Sequence, residues 1–313
     1  MTRHLHATYV TNVAIAANNR GETEGNITTL QKIMWNNDIH TTVSAEAIRF
    51  ALRYYWQQQY QLTNDESYAV NRFYDGDKFL WQDESFSDGG ERFVDDDVLG
   101  FMDAKAPKVE NGEASASAEV EETENNGKQR SAKKPTKGSA KVRRGALEVT
   151  RAISLLPFLG EVSFNSKAGE KSNTSLYGTE MHATAYQYSV TLTPSQLKRM
   201  DRTSLVVDAL SSLHNVGGNQ ARFLFDFSPQ LAVYRITHDP APRILFVAEA
   251  EGNSCSLRPL INRLKAGDIT ADELVIGGRV AGGEVEELTD LGVFHIYQGV
   301  RQAAEIVKAT NWV

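Results

Sequence analysis

The sequence predicts an α+β fold of the ferredoxin-like, split-βαβ kind, interrupted by a long insertion. Three observations predict it. Segments alternating at period two and segments apolar at helical spacing follow one another as strand, helix, strand, strand, helix, strand. A low-complexity tract at about 105–140 separates the first helix from the later strands. Across 313 residues, an apolar share of 41% is enough for a real core. The chain therefore reads as a single domain, 1–313, with an insertion at 64–145.

Leu5, Ala7, Tyr9, Thr11, Val13 and Ile15 alternate at period two and predict the first strand. The polar run from Asn18 to Asn26 reads as a loop. Ser44 can cap a helix bearing Ala47, Ile48, Ala51, Leu52, Tyr55 and Trp56 on one face. Segment 64–145 then breaks the pattern. Its tract has an acidic half at 110–124 and a basic half at 128–144, too poor in apolar residues to offset ordering entropy. It is expected to be disordered or partly ordered, an insertion and not a domain boundary.

Folded patterning resumes at 146–156, which is apolar and strand-like. After a polar stretch at 165–179, residues 184–192 alternate, with Tyr186, Tyr188, Val190 and Leu192 on one face, until Pro194. A short helix at 205–213 stops at Asn215-Val216-Gly217-Gly218. Strands are expected at 222–227 and 232–237, joined by a Ser228-Pro229-Gln230 turn, then at 244–248, 274–280 and 293–297. A helix at 300–309 closes the chain. This order is shared by RRM-like domains.

Composition bounds the function. No apolar run approaches the roughly 20 residues of a membrane-spanning helix, and residues 1–10 hold no apolar signal-peptide core, so no membrane partner is expected. Cys255 is the only cysteine, which excludes an internal disulfide or a cysteine cage and suits a reducing cytoplasm. The net charge of −7 argues mildly against nucleic acid, but charge is unevenly distributed, and phosphate binding depends on local Lys and Arg.

Several constellations can carry binding. Arg49 and Arg53 stand at i and i+4 and can bracket successive phosphates, or form a solvated helix edge paired to Glu46 or Asp38. In the turn from Asn215 to Arg222, Gly217 and Gly218 can bring backbone N–H groups to an anion, with Asn219, Gln220 and Arg222 as further donors. Equally, it can be a helix cap and tight turn. Asn18, Asn19, Arg20 and Asn26 form a polar loop after the first strand that can hold a nucleic-acid backbone or be a plain connection. The run Asp95-Asp96-Asp97 can bind a divalent ion or be solvated. No metal-ligand pair, nucleophile elbow or cofactor motif is present, so no cofactor, no metal and no catalytic residue are expected. His182 or His214 as general base of a metal-independent endoribonuclease is the enzymatic alternative.

Five segments in register resemble the Cas-seven backbone subunits of CRISPR type I effector complexes, in the Cst-two/DevR branch associated with type I-B. They are Asn18-Asn19-Arg20-Gly21-Glu22 with Glu24-Gly25-Asn26, then Ser44 through Arg53, Asp95 through Met102, Arg144 through Val149, and Gly217 through Arg222. The resemblance implies an RRM-like palm, a finger-like insertion at 64–145 and a thumb hairpin at 158–183. It also implies copies stacked head to tail along a guide RNA that is presented to a target DNA strand, alongside other effector-complex subunits. By family position Arg49 contacts phosphate, Ser44 and Arg53 lie in the same segment, and Asn165 and Lys167 lie in or near the thumb. Phe50 stands where a second basic residue is common. The DevR name attaches a DNA-binding autoregulatory role to some relatives, a further alternative, although no helix-turn-helix is visible. A coat for any guide must read backbone and shape, not base edges.

Overall fold

The computed structural model describes residues 2–17, 19–104, 140–166, 176–217, 224–252 and 254–312. Six short strands open the chain: β1 (His4–Thr11), β2 (Ala14–Ala16), β3 (Asn19–Glu24), β4 (Ile27–Leu30), β5 (Lys32–Trp35) and β6 (Asp38–Val43). Helix α1 (Ala45–Thr63) follows, then β7 (Arg72–Tyr74), β8 (Phe79–Trp81), the short α2 (Val94–Val98), β9 (Gly100–Ala104) and β10 (Ala140–Arg144). Next come β11 (Leu147–Val149), β12 (Ala152–Ser154), β13 (Val162–Ser166), β14 (Leu176–Glu180), β15 (His182–Thr184), β16 (Tyr186–Leu192), α3 (Arg202–Ser212) and β17 (Pro229–Thr237). The chain ends with β18 (Glu249–Glu251), β19 (Ser254–Ser256), α4 (Arg258–Lys265), β20 (Leu274–Gly278), α5 (Glu284–Asp290), β21 (His295–Tyr297) and α6 (Val300–Lys308).

The main sheet runs β21-β20-β17-β1-β16-β12-β6-β5, with β11 also paired to β16. Its β17-β1-β16-β12 centre is antiparallel throughout. Leu5, Ala7 and Tyr9 of β1 pack with Ile48, Leu52 and Trp56 of α1, Val206 and Leu210 of α3, and Val307 of α6. Leu231 and Val233 of β17 and Leu274 and Ile276 of β20 instead meet Ile244, Val247, Leu260 of α4 and Leu288 of α5. Alternate residues of β17 thus serve two clusters, as a strand covered on both faces requires. The same cover explains β1, where every residue after His4 is buried. Thr8 and His6 find partners there: Thr8 Oγ1 donates to the Ile244 carbonyl at 2.5 Å, and the His6 ring meets Thr191 and the Asp239 carbonyl.

Several expectations are corrected. The first strand ends at Thr11, and Ala14–Ala16 pairs with β15 instead. The polar run after it is not a loop. Asn19–Glu24 pairs with β4 across a turn at Gly25 (φ +61°), and β4 pairs in parallel with β14, giving a sheet β13-β14-β4-β3. Residues 224–227 form no strand, and Pro229 and Gln230 begin β17 and are not a turn. Segment 244–248 is a turn, with Phe246 at φ +51°; it is apolar because Ile244, Val247 and Ala248 lie in the second core cluster. Helices α4 and α5 were not expected. The tract at 105–139 and the candidate residues Asn18, Lys167, Gly218, Asn219, Gln220 and Arg222 lie outside the described residues.

Candidate nucleic-acid interface

The candidate interface is built on the first turns of α1. The Ser44 hydroxyl accepts the Ala47 N–H at 3.1 Å, so Ser44 serves the helix as its N-cap. One turn on, the Arg49 guanidinium donates to the carbonyls of Leu99 and Leu147, the latter at 3.3 Å. Both carbonyls lie at the basal end of the β9–β10 ladder, just before β9 begins and just after β10 ends. At its base the backbones nearly touch: a Cβ on Gly100 would sit 2.3 Å from the Arg143 carbonyl oxygen, and one on Gly145 would sit 2.4 Å from that of Leu99. Arg49 therefore braces a glycine-lined neck. Burial and the neighbouring Arg53 pull its guanidinium down from its usual value. Arg53 pairs through Nε with Asp95 at 3.0 Å, and not with the expected Glu46 or Asp38.

The acidic run is neither solvated nor arranged to hold a metal. Asp95, Asp96 and Asp97 are only 1%, 2% and 0% exposed. Successive residues of a helical turn point about 100° apart, so Asp97 addresses different partners from Asp95 and Asp96, which converge on Asn71. Asp95 accepts the backbone N–H groups of Asn71 (2.7 Å) and Arg72 (3.1 Å). Asp96 accepts Asn71 Nδ2 at 2.7 Å. Asp97 pairs with Arg202 at 2.8 Å and with Arg143, and it accepts the N–H groups of Lys198 and Arg199. Among the described residues no group of His, Cys, Asp and Glu side chains is arranged to hold a metal ion.

Burial and the adjacent Asp95 push the Asp96 carboxyl up to about 7, against the hydrogen bond from Asn71. A carboxyl raised in the folded state stabilises the fold while protonated and loses that contribution as pH rises through the folded value. Asp96→Asn should therefore raise the melting temperature at about pH 8 and flatten its fall between about pH 5 and pH 8. Thermal scans at both pH values check this; an unchanged slope would remove Asp96 as its source.

Between α1 and the neck lies a cleft of about 510 Å³ lined by Arg49, Arg53, Arg72, Arg143, Trp81 and Phe101, among others. The β7–β8 hairpin supplies two residues that sequence reasoning missed. Its turn is tied by Asp75 Oδ1, which accepts the N–H groups of Asp77 and Lys78 at 2.9 Å. Register places Arg72 opposite Trp81, and the Arg72 guanidinium lies 4.2 Å from the Phe79 ring centre and 5.5 Å from that of Trp81. The signal was an Asp75-Gly76-Asp77 turn between aromatic runs. Phe50 also finds its explanation here. It stacks on Tyr54 and meets Tyr74 and Phe79 edge-on, so an apolar residue suits the position.

The other candidates gather elsewhere. Asn19, Arg20, Asn26 and Asn165 share the four-stranded β13-β14-β4-β3 sheet and its turn: the Asn26 carbonyl accepts the Gly178 N–H at 2.8 Å, and Asn165 lies opposite Tyr177. Gly217, at φ +88°, follows the end of α3. The histidines divide. His182 is 2% exposed, its Nδ1 is 2.8 Å from the Thr41 hydroxyl, and the Phe158 ring meets it edge-on, so it does not face solvent as a surface base must. Burial also lowers its pKa. His214 is exposed beside the Ser212 carbonyl.

No protein-family model matches the chain. The CRISPR-associated protein Cas7/Cst2/DevR of Myxococcus xanthus (strain DK1622) is 42% identical over 96% of this chain and 95% of its own length. A chain of a solved CRISPR RNA-guided surveillance complex superposes with a TM-score of 0.55 at 14% identity, covering 98% of both chains. One from such a complex described as pre-nicking gives 0.54 at 10% identity, covering 98% of this chain and 99% of that one. At those identities the superpositions speak to the fold alone. Among the described residues no helix is long and apolar enough to cross a membrane. By its end-to-end identity with the Myxococcus protein, the chain belongs to the Cas7/Cst2/DevR family.

Proposed function

We propose that this chain is a non-catalytic backbone subunit of a type I, I-B-like CRISPR effector, repeated head to tail along a guide RNA that it presents for pairing with target DNA. The observation that carries the reading is the 42% identity across nearly the whole chain. The surveillance-complex chains of the same fold support it. The antiparallel β17-β1-β16-β12 centre, with α1 and α3 packed on it, suits an RRM-like palm. Residues 64–145 form the finger, and the β13–β14 hairpin within 158–183 forms the thumb. The RNA backbone runs past the N-terminal half of α1 at Arg49 and Arg53 and reaches the thumb sheet at Asn19, Arg20, Asn26 and Asn165, with Lys167 and residues 217–222 as further contacts. Of the two candidate bases of an endoribonuclease, His182 is buried, which leaves that alternative only the exposed His214.

The test is whether the protein, expressed with a CRISPR array and its neighbouring subunits, co-purifies with small RNAs of one discrete length. Arg49→Glu should reduce the bound RNA irrespective of guide sequence and lower the salt slope of binding by roughly 0.7 for each lost phosphate contact. Recovery of no RNA, or of random fragments from the wild-type protein, would overturn the reading.

A further inference from the structure

The cleft beside the neck has features that a backbone clamp alone does not need. Its Arg53 is neutralised by Asp95, and its Arg143 by Asp97. Arg49 and Arg72 form no ion pair among the described residues: Arg49 is held by two carbonyls, and Arg72 lies against aromatic rings. Asp95 hydrogen-bonds Arg72 through its main-chain N–H and acts on the guanidinium only at longer range, and the buried Arg72 Nε has no acceptor among the described residues. A guanidinium carries five N–H donors, so both retain capacity for an anion. Beside them Trp81 is fixed by Arg72 at 5.5 Å and by the edge of Phe86 at 5.1 Å, yet 36% of it stays exposed. A partly exposed indole, positioned on a hairpin beside two cations that no carboxylate ion-pairs directly although Glu46 and Asp95 stand nearby, fits a ligand that alternates a π face with an anionic group.

We infer that this cleft seats one nucleotide of single-stranded RNA, its base stacked on Trp81 and its phosphate between Arg49 and Arg72. The inference rests on the backbone-subunit reading and adds to it two residues and a base contact. Stacking is tolerant of sequence because every base has a π face, so the contact suits a subunit that must accept any guide. An acidic peptide would satisfy the two guanidiniums but would leave the indole without a partner.

The test compares binding of a labelled single-stranded RNA with binding of an abasic RNA of equal length, for the wild-type full chain and for Trp81→Ala, Trp81→Phe and Arg72→Gln. Trp81→Ala should weaken RNA binding about 5- to 150-fold, with the salt slope and the affinity for abasic RNA unchanged, and Trp81→Phe should restore most of it. Arg72→Gln should weaken both RNAs and lower the slope by about 0.7. In the wild-type protein, photo-crosslinks from RNA carrying 5-bromouridine should map to the peptide containing Trp81, a readout independent of how any variant folds. Wild-type affinity in Trp81→Ala, an equal loss on both RNAs, or crosslinks confined to other peptides would overturn the inference while leaving the backbone reading intact. Failure of the wild-type chain to bind either RNA would overturn both.

Discussion

Asp97→Ala is expected to destabilise the protein by about 3–5 kcal/mol, the range for breaking a buried ion pair by removing one partner. Asp97 is fully buried, and its oxygens receive Arg202, Arg143 and the main-chain N–H groups of Lys198 and Arg199. Without the carboxylate, Arg202, itself 1% exposed, keeps only the carbonyls of Gly90, Glu91 and Arg92. Its Nε already lacks an acceptor among the described residues. A full positive charge would then sit in the core with neutral partners alone. At roughly 2–4 °C per kcal/mol for a large domain, calorimetry should find the melting temperature lowered by about 6–20 °C. A shift within about 2 °C would mean that the site relaxes to admit water and that the pair contributes little.

Gly100→Ala should produce the other large loss, about 2–5 kcal/mol. Gly100 has φ +72°, which costs a residue bearing Cβ about 1–2 kcal/mol. The new methyl would also meet the Arg143 carbonyl at 2.3 Å and the Gly145 nitrogen at 2.4 Å, both backbone atoms that cannot swing aside. Such overpacking adds about 1–3 kcal/mol. Gly76 separates the two contributions, since it has φ +107° but open space around its Cβ position. Gly76→Ala should show the conformational cost alone. Urea unfolding of both variants makes the comparison, and equal losses would refute the close approach at the neck. Because Arg49 donates to the Leu99 carbonyl, opening the neck should weaken RNA binding as well.

What was legible in the sequence was what depends on near neighbours. The Ser44 cap, the helical spacing from Ile48 to Trp56, the alternation from Tyr186 to Leu192 and the closing helix are set within a few residues, and all appear where their patterns place them. The β3–β4 hairpin was misread because its polar side chains carry no alternation, and its pairing with β14 comes from a segment far along the chain. The turn at 244–248 was misread for the converse reason. Burial demands apolar residues whether or not the backbone is paired. At the candidate site the spacing of Arg49 and Arg53 was visible, but not their acceptors. Three adjacent aspartates look solvated unless the donors that enclose them are known, and Arg202 and Asn71 bear no local relation to them.

That same acidic turn bears on the order of folding. Its partners lie between 23 and 105 residues away along the chain, and none is supplied by its own neighbours. Closing such loops is unfavourable until the contacts at their ends form. The three carboxylates are therefore expected to stay hydrated until α1, α3 and the β7–β8 hairpin are in place. Asp97→Ala is therefore expected to speed unfolding and leave the folding rate nearly unchanged, and stopped-flow folding and unfolding rates check this.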